Sequence, residues 1–86
     1  MTAAPSGNFS LSVVPAKRKG RHAPELSWSG ANGNNVDIFR DGNLIETAAN
    51  NGFYVDNIGA RGGRTYIYKV CEEGTSTCSN EASAVY

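Results

Sequence analysis

Apolar residues recur at every second position in short runs along this chain, and no window of ten or more residues sustains a helical period. Phe9, Leu11 and Val13 alternate with Ser10, Ser12 and Val14 until Pro15 ends the run. The alternation resumes with Leu26 and Trp28 on one face, and again with Val36 and Ile38. Asp41-Gly42-Asn43 reads as a tight hairpin turn, because Asp and Gly tolerate the positive φ it demands, and residues 44–48 run back from it. Asn51-Gly52 introduces a run at 53–58 with Tyr54 inward. The most regular segment, residues 65–71, puts Tyr66, Tyr68 and Val70 on one face, and the last run aligns Ala82, Ala84 and Tyr86. Residues 17–22, between the first two runs, read as a basic loop. Seven short strands spaced about ten residues apart predict an all-β fold, a two-sheet antiparallel sandwich. Its predicted core is Leu11, Val13, Leu26, Trp28, Val36, Ile38, Tyr54, Tyr66, Tyr68 and Val70, with Trp28 the largest member.

Eighty-six residues suffice for one domain, assigned to 9–86. Residues 1–8, small, polar and Pro-containing, read as a linker and lack the basic and apolar regions of a signal peptide. Eight Lys and Arg balance eight Asp and Glu, which argues against a nucleic-acid binder. No apolar run approaches the roughly 20 residues of a membrane helix, so no membrane insertion is expected.

The succession Leu11-x-Val13, Leu26-x-Trp28, Val36-x-Ile38, Tyr54-x-Asp56 and Tyr66-x-Tyr68-x-Val70, closing with Ser79-Asn80, resembles the fibronectin type III domain. More narrowly, Asp37-Ile38-Phe39-Arg40-Asp41-Gly42, Thr65-Tyr66-Ile67-Tyr68-Lys69-Val70-Cys71-Glu72 and Thr75-Ser76-Thr77-Cys78-Ser79-Asn80-Glu81 resemble modules at the C-terminal end of secreted bacterial subtilisin-like serine proteases. The resemblance implies a seven-stranded immunoglobulin-like sandwich and an extracellular or periplasmic location. It also implies a tyrosine corner, in which the Tyr66 hydroxyl bonds main chain just upstream. The apolar residue preceding that tyrosine is matched by Ile58, eight positions back rather than about six, with Arg61-Gly62-Gly63 as an apparent insertion.

In the sandwich reading Cys71 and Cys78 end two paired strands, where opposed Cβ atoms come close enough for a disulfide. Two Cys with one distant His make a poor zinc site, and the spacing is not that of a redox motif. His22, the single histidine, falls in the basic loop, and there is no Gly-x-Ser-x-Gly elbow. The carboxylates Asp37, Asp41, Glu46, Asp56, Glu72, Glu73 and Glu81 are dispersed, and Asp56 is expected to hold local backbone. No catalytic residue, metal or cofactor is therefore expected.

Two surfaces remain as binding candidates. Lys17, Arg18, Lys19 and Arg21 concentrate half the positive charge, either as a docking loop or as a solvated one. Phe39 and Phe53 point outward by parity, and beside Arg40 they would stack on sugars or grip a peptide if both rings shared one sheet face. The leading functional expectation is a noncatalytic accessory module of a secreted bacterial enzyme, as the resemblance implies: a monomeric spacer, stabiliser or docking domain. Its partners would be a neighbouring domain of the same chain and polymeric protein or polysaccharide substrate. The alternatives are a carbohydrate-binding or adhesion module, or a small protease-inhibitor-like sandwich.

Overall fold

A computed structural model describes residues 9–86; the linker assigned to 1–8 lies outside the described residues. The described residues form nine strands and no helix: β1 Ser10–Val14, β2 Lys17–Arg18, β3 Arg21–His22, β4 Glu25–Ser29, β5 Asn35–Arg40, β6 Asn43–Ala49, β7 Phe53–Val55, β8 Thr65–Glu72 and β9 Ala82–Val85. All pairings are antiparallel. A three-stranded sheet has the order β1-β4-β7, a four-stranded sheet β6-β5-β8-β9, and β2-β3 make a separate ribbon.

Alternation sets the inside of each sheet. Leu11, Leu26 and Trp28 from the first sheet join Val36, Ile38, Tyr66, Tyr68, Val70 and Ala84 from the second in one buried cluster, with Phe9 added from the entering chain. That shared interior is consistent with a β-sandwich. Val13 and Tyr54, expected inside, are half-buried at the margin of the cluster, because each lies on a short edge strand near the end of the three-stranded sheet. The strand expected over 53–58 stops at Val55, and Ile58 packs against the core from a loop.

Local chemistry explains the joints. Asp41 and Gly42 both have positive φ, as a two-residue hairpin turn requires. The β5–β6 register then shifts between Ile38 and Phe39, pairing Phe39 with Leu44 and Ile38 with Glu46. This bulge inserts Ile45, which turns toward the core while Leu44 stays exposed. Gly52 sits at φ 85°, and a Cβ there would lie 3.1 Å from the Trp28 carbonyl oxygen, so the approach of this loop to β4 requires glycine. The Trp28 indole donates to Asn50 Oδ1 at 2.9 Å, and Asn50 Nδ2 donates to the carbonyls of Ala31 and Gly33. Asn80 bonds both main-chain groups of Leu11, which ties β1 to the segment entering β9.

Cys71 and Cys78 form a disulfide across an isolated antiparallel bridge. Their seven-residue separation closes a small ring that stabilises the fold by about 2.5 kcal/mol in the loop-entropy picture. The double variant Cys71→Ala, Cys78→Ala is expected to lose about 2 to 3 kcal/mol in urea titration while keeping the fold's β-sheet circular dichroism. An unchanged midpoint would contradict that role. The bond points to an oxidising, extracellular-type environment. Among the described residues no helix is long and apolar enough to cross a membrane.

Candidate functional site

The basic segment at 17–22 is a hairpin rather than a loop. Lys17 pairs with His22 and Arg18 with Arg21, around a turn in which Lys19 and Gly20 have φ of 52° and 76°. Positive φ at both central positions gives the turn the twist that antiparallel strands need, and Gly20 supplies the second without strain. The pattern missed this ribbon because each strand is two residues long and nearly all its side chains are charged.

The hairpin is fastened to the sandwich through β3. His22 N–H donates to Ala60 O at 2.8 Å, Gly59 N–H donates to His22 O at 3.1 Å, and Arg21 Nη1 donates to Gly59 O at 3.0 Å. His22, expected in a basic loop, is 1% exposed. Its ring stacks on Tyr86 at 3.8 Å between centroids and meets the edge of Tyr66. Nδ1 and the Tyr66 hydroxyl are hydrogen-bonded at 2.9 Å. The Tyr66 hydroxyl is thus bonded to a histidine side chain and not to the upstream main chain that a tyrosine corner would use. Nε2 of His22 is buried without a partner. The Tyr86 hydroxyl donates to Ala16 O at 2.7 Å, and burial raises its pKa. Arg64 covers the Tyr66 ring at 5.2 Å.

Beside this cluster a recess of about 170 Å³ is lined by Arg18, Arg21, His22, Ala23, Asn57 and Gly59. A second, more open depression of about 220 Å³ lies over Ser10, Ser12, Ser27, Trp28 and Ser29, on the outward face of β1 and β4. Among its serines, the Ser10 and Ser29 hydroxyls lie 3.5 Å apart.

The other expected binding residues do not come together. Phe39 lies on β5 of the four-stranded sheet and Phe53 on β7 of the three-stranded one, so the rings cannot form one stacking platform. Lys69 covers the Phe39 ring at 5.5 Å, whereas Phe53 is about half exposed. Arg40 is not a free surface group: its Nη1 donates to Asp56 Oδ2 at 2.7 Å, and the Tyr68 hydroxyl donates to the same oxygen at 2.6 Å. Asp56, expected to hold local backbone, does so through its main chain, and its side chain also joins the exit of β7 to β5 and β8. Its buried carboxylate finds its donors across the core, while its N–H donates to Pro24 O and its carbonyl accepts from Ile58 N–H. Burial works against the Arg40 charge, but the hydrogen bond and charge of Asp56 outweigh it and raise the pKa.

Burial, then the bond to Asp56 and its charge, push the Tyr68 hydroxyl far above its usual value; Tyr54 is raised too, chiefly by burial. The folded pKa of Tyr68 therefore exceeds the unfolded value of about 10, and its contribution is complete below pH 10 and lost as pH rises beyond it. The urea midpoint is expected to fall between pH 9 and pH 11, less steeply in Tyr68→Phe. Equal midpoints at both pH values in the parent chain would contradict the buried bond.

Among the described residues no group of three or more His, Cys, Asp or Glu is placed to hold a metal ion. No protein family, curated protein or solved structure matches this chain.

Proposed function

We propose that the chain is a noncatalytic fibronectin type III-like module that serves as a spacer and docking domain of a larger secreted enzyme, a bacterial subtilisin-like protease. The observation that carries this reading is how the reactive side chains are used. His22 is stacked under Tyr86 and bonded to Tyr66, both cysteines are joined to each other, and Asp56 is committed to Arg40 and Tyr68. A general base must reach a substrate proton, and the engagement of these groups with one another supports a noncatalytic reading. The fold assignment draws support from seven longer strands divided three and four between antiparallel sheets, since immunoglobulin-like sandwiches share about seven strands between two layers. The disulfide supports export.

Deleting 9–86 from its full reading frame tests the role. Cleavage of a soluble small substrate should persist, while cleavage of insoluble protein should fall, because tethering raises local concentration. Hydrolysis by the isolated chain, or inhibition of a protease by it, would contradict the proposal.

A further inference from the structure

The neutral net charge conceals an uneven distribution, although Glu25, Asp41 and Asp56 also lie toward the basic end. Lys17, Arg18, Lys19 and Arg21 on the hairpin, with Arg61 and Arg64 in the loop that flanks it, gather at the end of the molecule where β8 begins. Asp37, Glu72 and Glu73 lie at the opposite end, roughly 25 Å away along the eight-residue strand β8. The acidic end is internally satisfied: Asp37 accepts from Thr47 and Gly74, Glu72 from Asn32, and Glu73 from Asn35. The basic end is not. Among the described residues the one ion pair is Arg40 with Asp56, and no hairpin cation has a carboxylate partner.

Arg18 and Arg21 are directly opposed in the hairpin register, so their side chains share one face. Like charges at such a position destabilise a two-stranded ribbon, and this ribbon is already short and has a non-glycine residue at positive φ in its turn. The fold nevertheless fixes Arg21, through its bond to Gly59 and the buried His22 beside it, and the hairpin register sets Arg18 opposite. Both arginines line the 170 Å³ recess, together with Ala23, Asn57, Gly59 and His22. A recess of this size takes one small group, and a guanidinium fork matches a carboxylate through two parallel hydrogen bonds.

We infer that the opposed Arg18 and Arg21, beside the open edge of β2, form a docking site for an extended acidic peptide segment. A peptide fits better than other polyanions for two reasons. Strand β2 has a neighbour on one side only, so its free edge can accept a further strand through main-chain hydrogen bonds. The exposed hairpin residues Lys17, Arg18, Lys19, Gly20 and Arg21 include no aromatic group to stack on a base and no apolar group to enter a bilayer. The site deepens the docking role proposed above and names what it takes, but its test needs only the isolated chain. A negative result here leaves the deletion experiment standing, and the reverse.

The probe is a fluorescein-labelled eight-residue peptide of alternating glutamate and threonine, followed by anisotropy at low salt. Saturable binding is expected, with loss when glutamine replaces glutamate and weakening as salt shortens the screening length. Arg18→Glu should weaken binding at least about tenfold while keeping or raising the thermal midpoint, since it turns a repulsive pair into an attractive one. Arg21→Gln should weaken binding similarly, and Lys69→Gln, on a different face, should leave it unchanged. Near-UV circular dichroism verifies the fold of each variant, and should Arg18→Glu fail to fold, Arg18→Gln replaces it. The inference is overturned if the peptide does not bind, if folded Arg18 and Arg21 variants bind as the parent does, or if a sulfated oligosaccharide, duplex DNA or phosphatidylglycerol vesicles bind more tightly at the same salt. It is also overturned if backbone N-methylation of the peptide leaves affinity intact.

Discussion

Trp28→Ala is expected to cost about 3 to 5 kcal/mol and to leave the domain largely unfolded at room temperature. The indole is 6% exposed, packs in the cluster shared by both sheets, and anchors Asn50, which in turn holds the loop before β5 through two carbonyls. Truncation removes the largest apolar surface of β4 and strands the Asn50 oxygen at once. Lys17→Ala, at an exposed position, should change stability by less than about 0.5 kcal/mol. Urea titration followed by circular dichroism compares the two. Small and equal effects would show that Trp28 is not inside.

Asp56→Ala is the second large effect, about 2 to 4 kcal/mol. One carboxylate oxygen serves both the Arg40 guanidinium and the Tyr68 hydroxyl, and Asp56 is 7% exposed. Removing it leaves a buried phenol without its acceptor and a guanidinium, about one-third exposed, without its counter-charge. The partial exposure of Arg40 keeps the cost below that of a fully buried pair. Asp56→Asn keeps an acceptor for Tyr68 but loses the charge, so it should fall between the parent and Asp56→Ala. If Asp56→Ala were as stable as the parent, the carboxylate would have no cross-sheet role.

These two sites also show what could be read from the chain and what could not. Trp28, Ile38, Tyr68 and Val70 are legible because a period of two on a long strand leaves one geometric choice for each side chain. The disulfide is legible because two cysteines flank one turn. Asp56 is not, since its partners come from β5 and β8, 16 and 12 residues away, and nothing local marks a carboxylate that will be buried. His22 is the sharper case. Its neighbours in sequence are four cations, which read as solvated chain, and only the turn at Lys19-Gly20 could have disclosed a hairpin. That turn sets the register in which His22 faces inward toward Tyr66 and Tyr86, 44 and 64 residues away, while Arg18 and Arg21 share the opposite face. Phe39 and Phe53 fail as a pair for the same reason: parity gives the face of a strand but not the sheet to which the strand belongs.

A positively charged ribbon is fastened to the end of the two sheets through the main chain of β3 and the buried His22 ring. Nuclear Overhauser spectroscopy of the folded chain tests this most directly. Strong cross-peaks between the His22 ring protons and the ring of Tyr86, whose centroid is 3.8 Å away, are the predicted result. Cross-peaks from His22 to water alone, with ring shifts of a free imidazole, would contradict it.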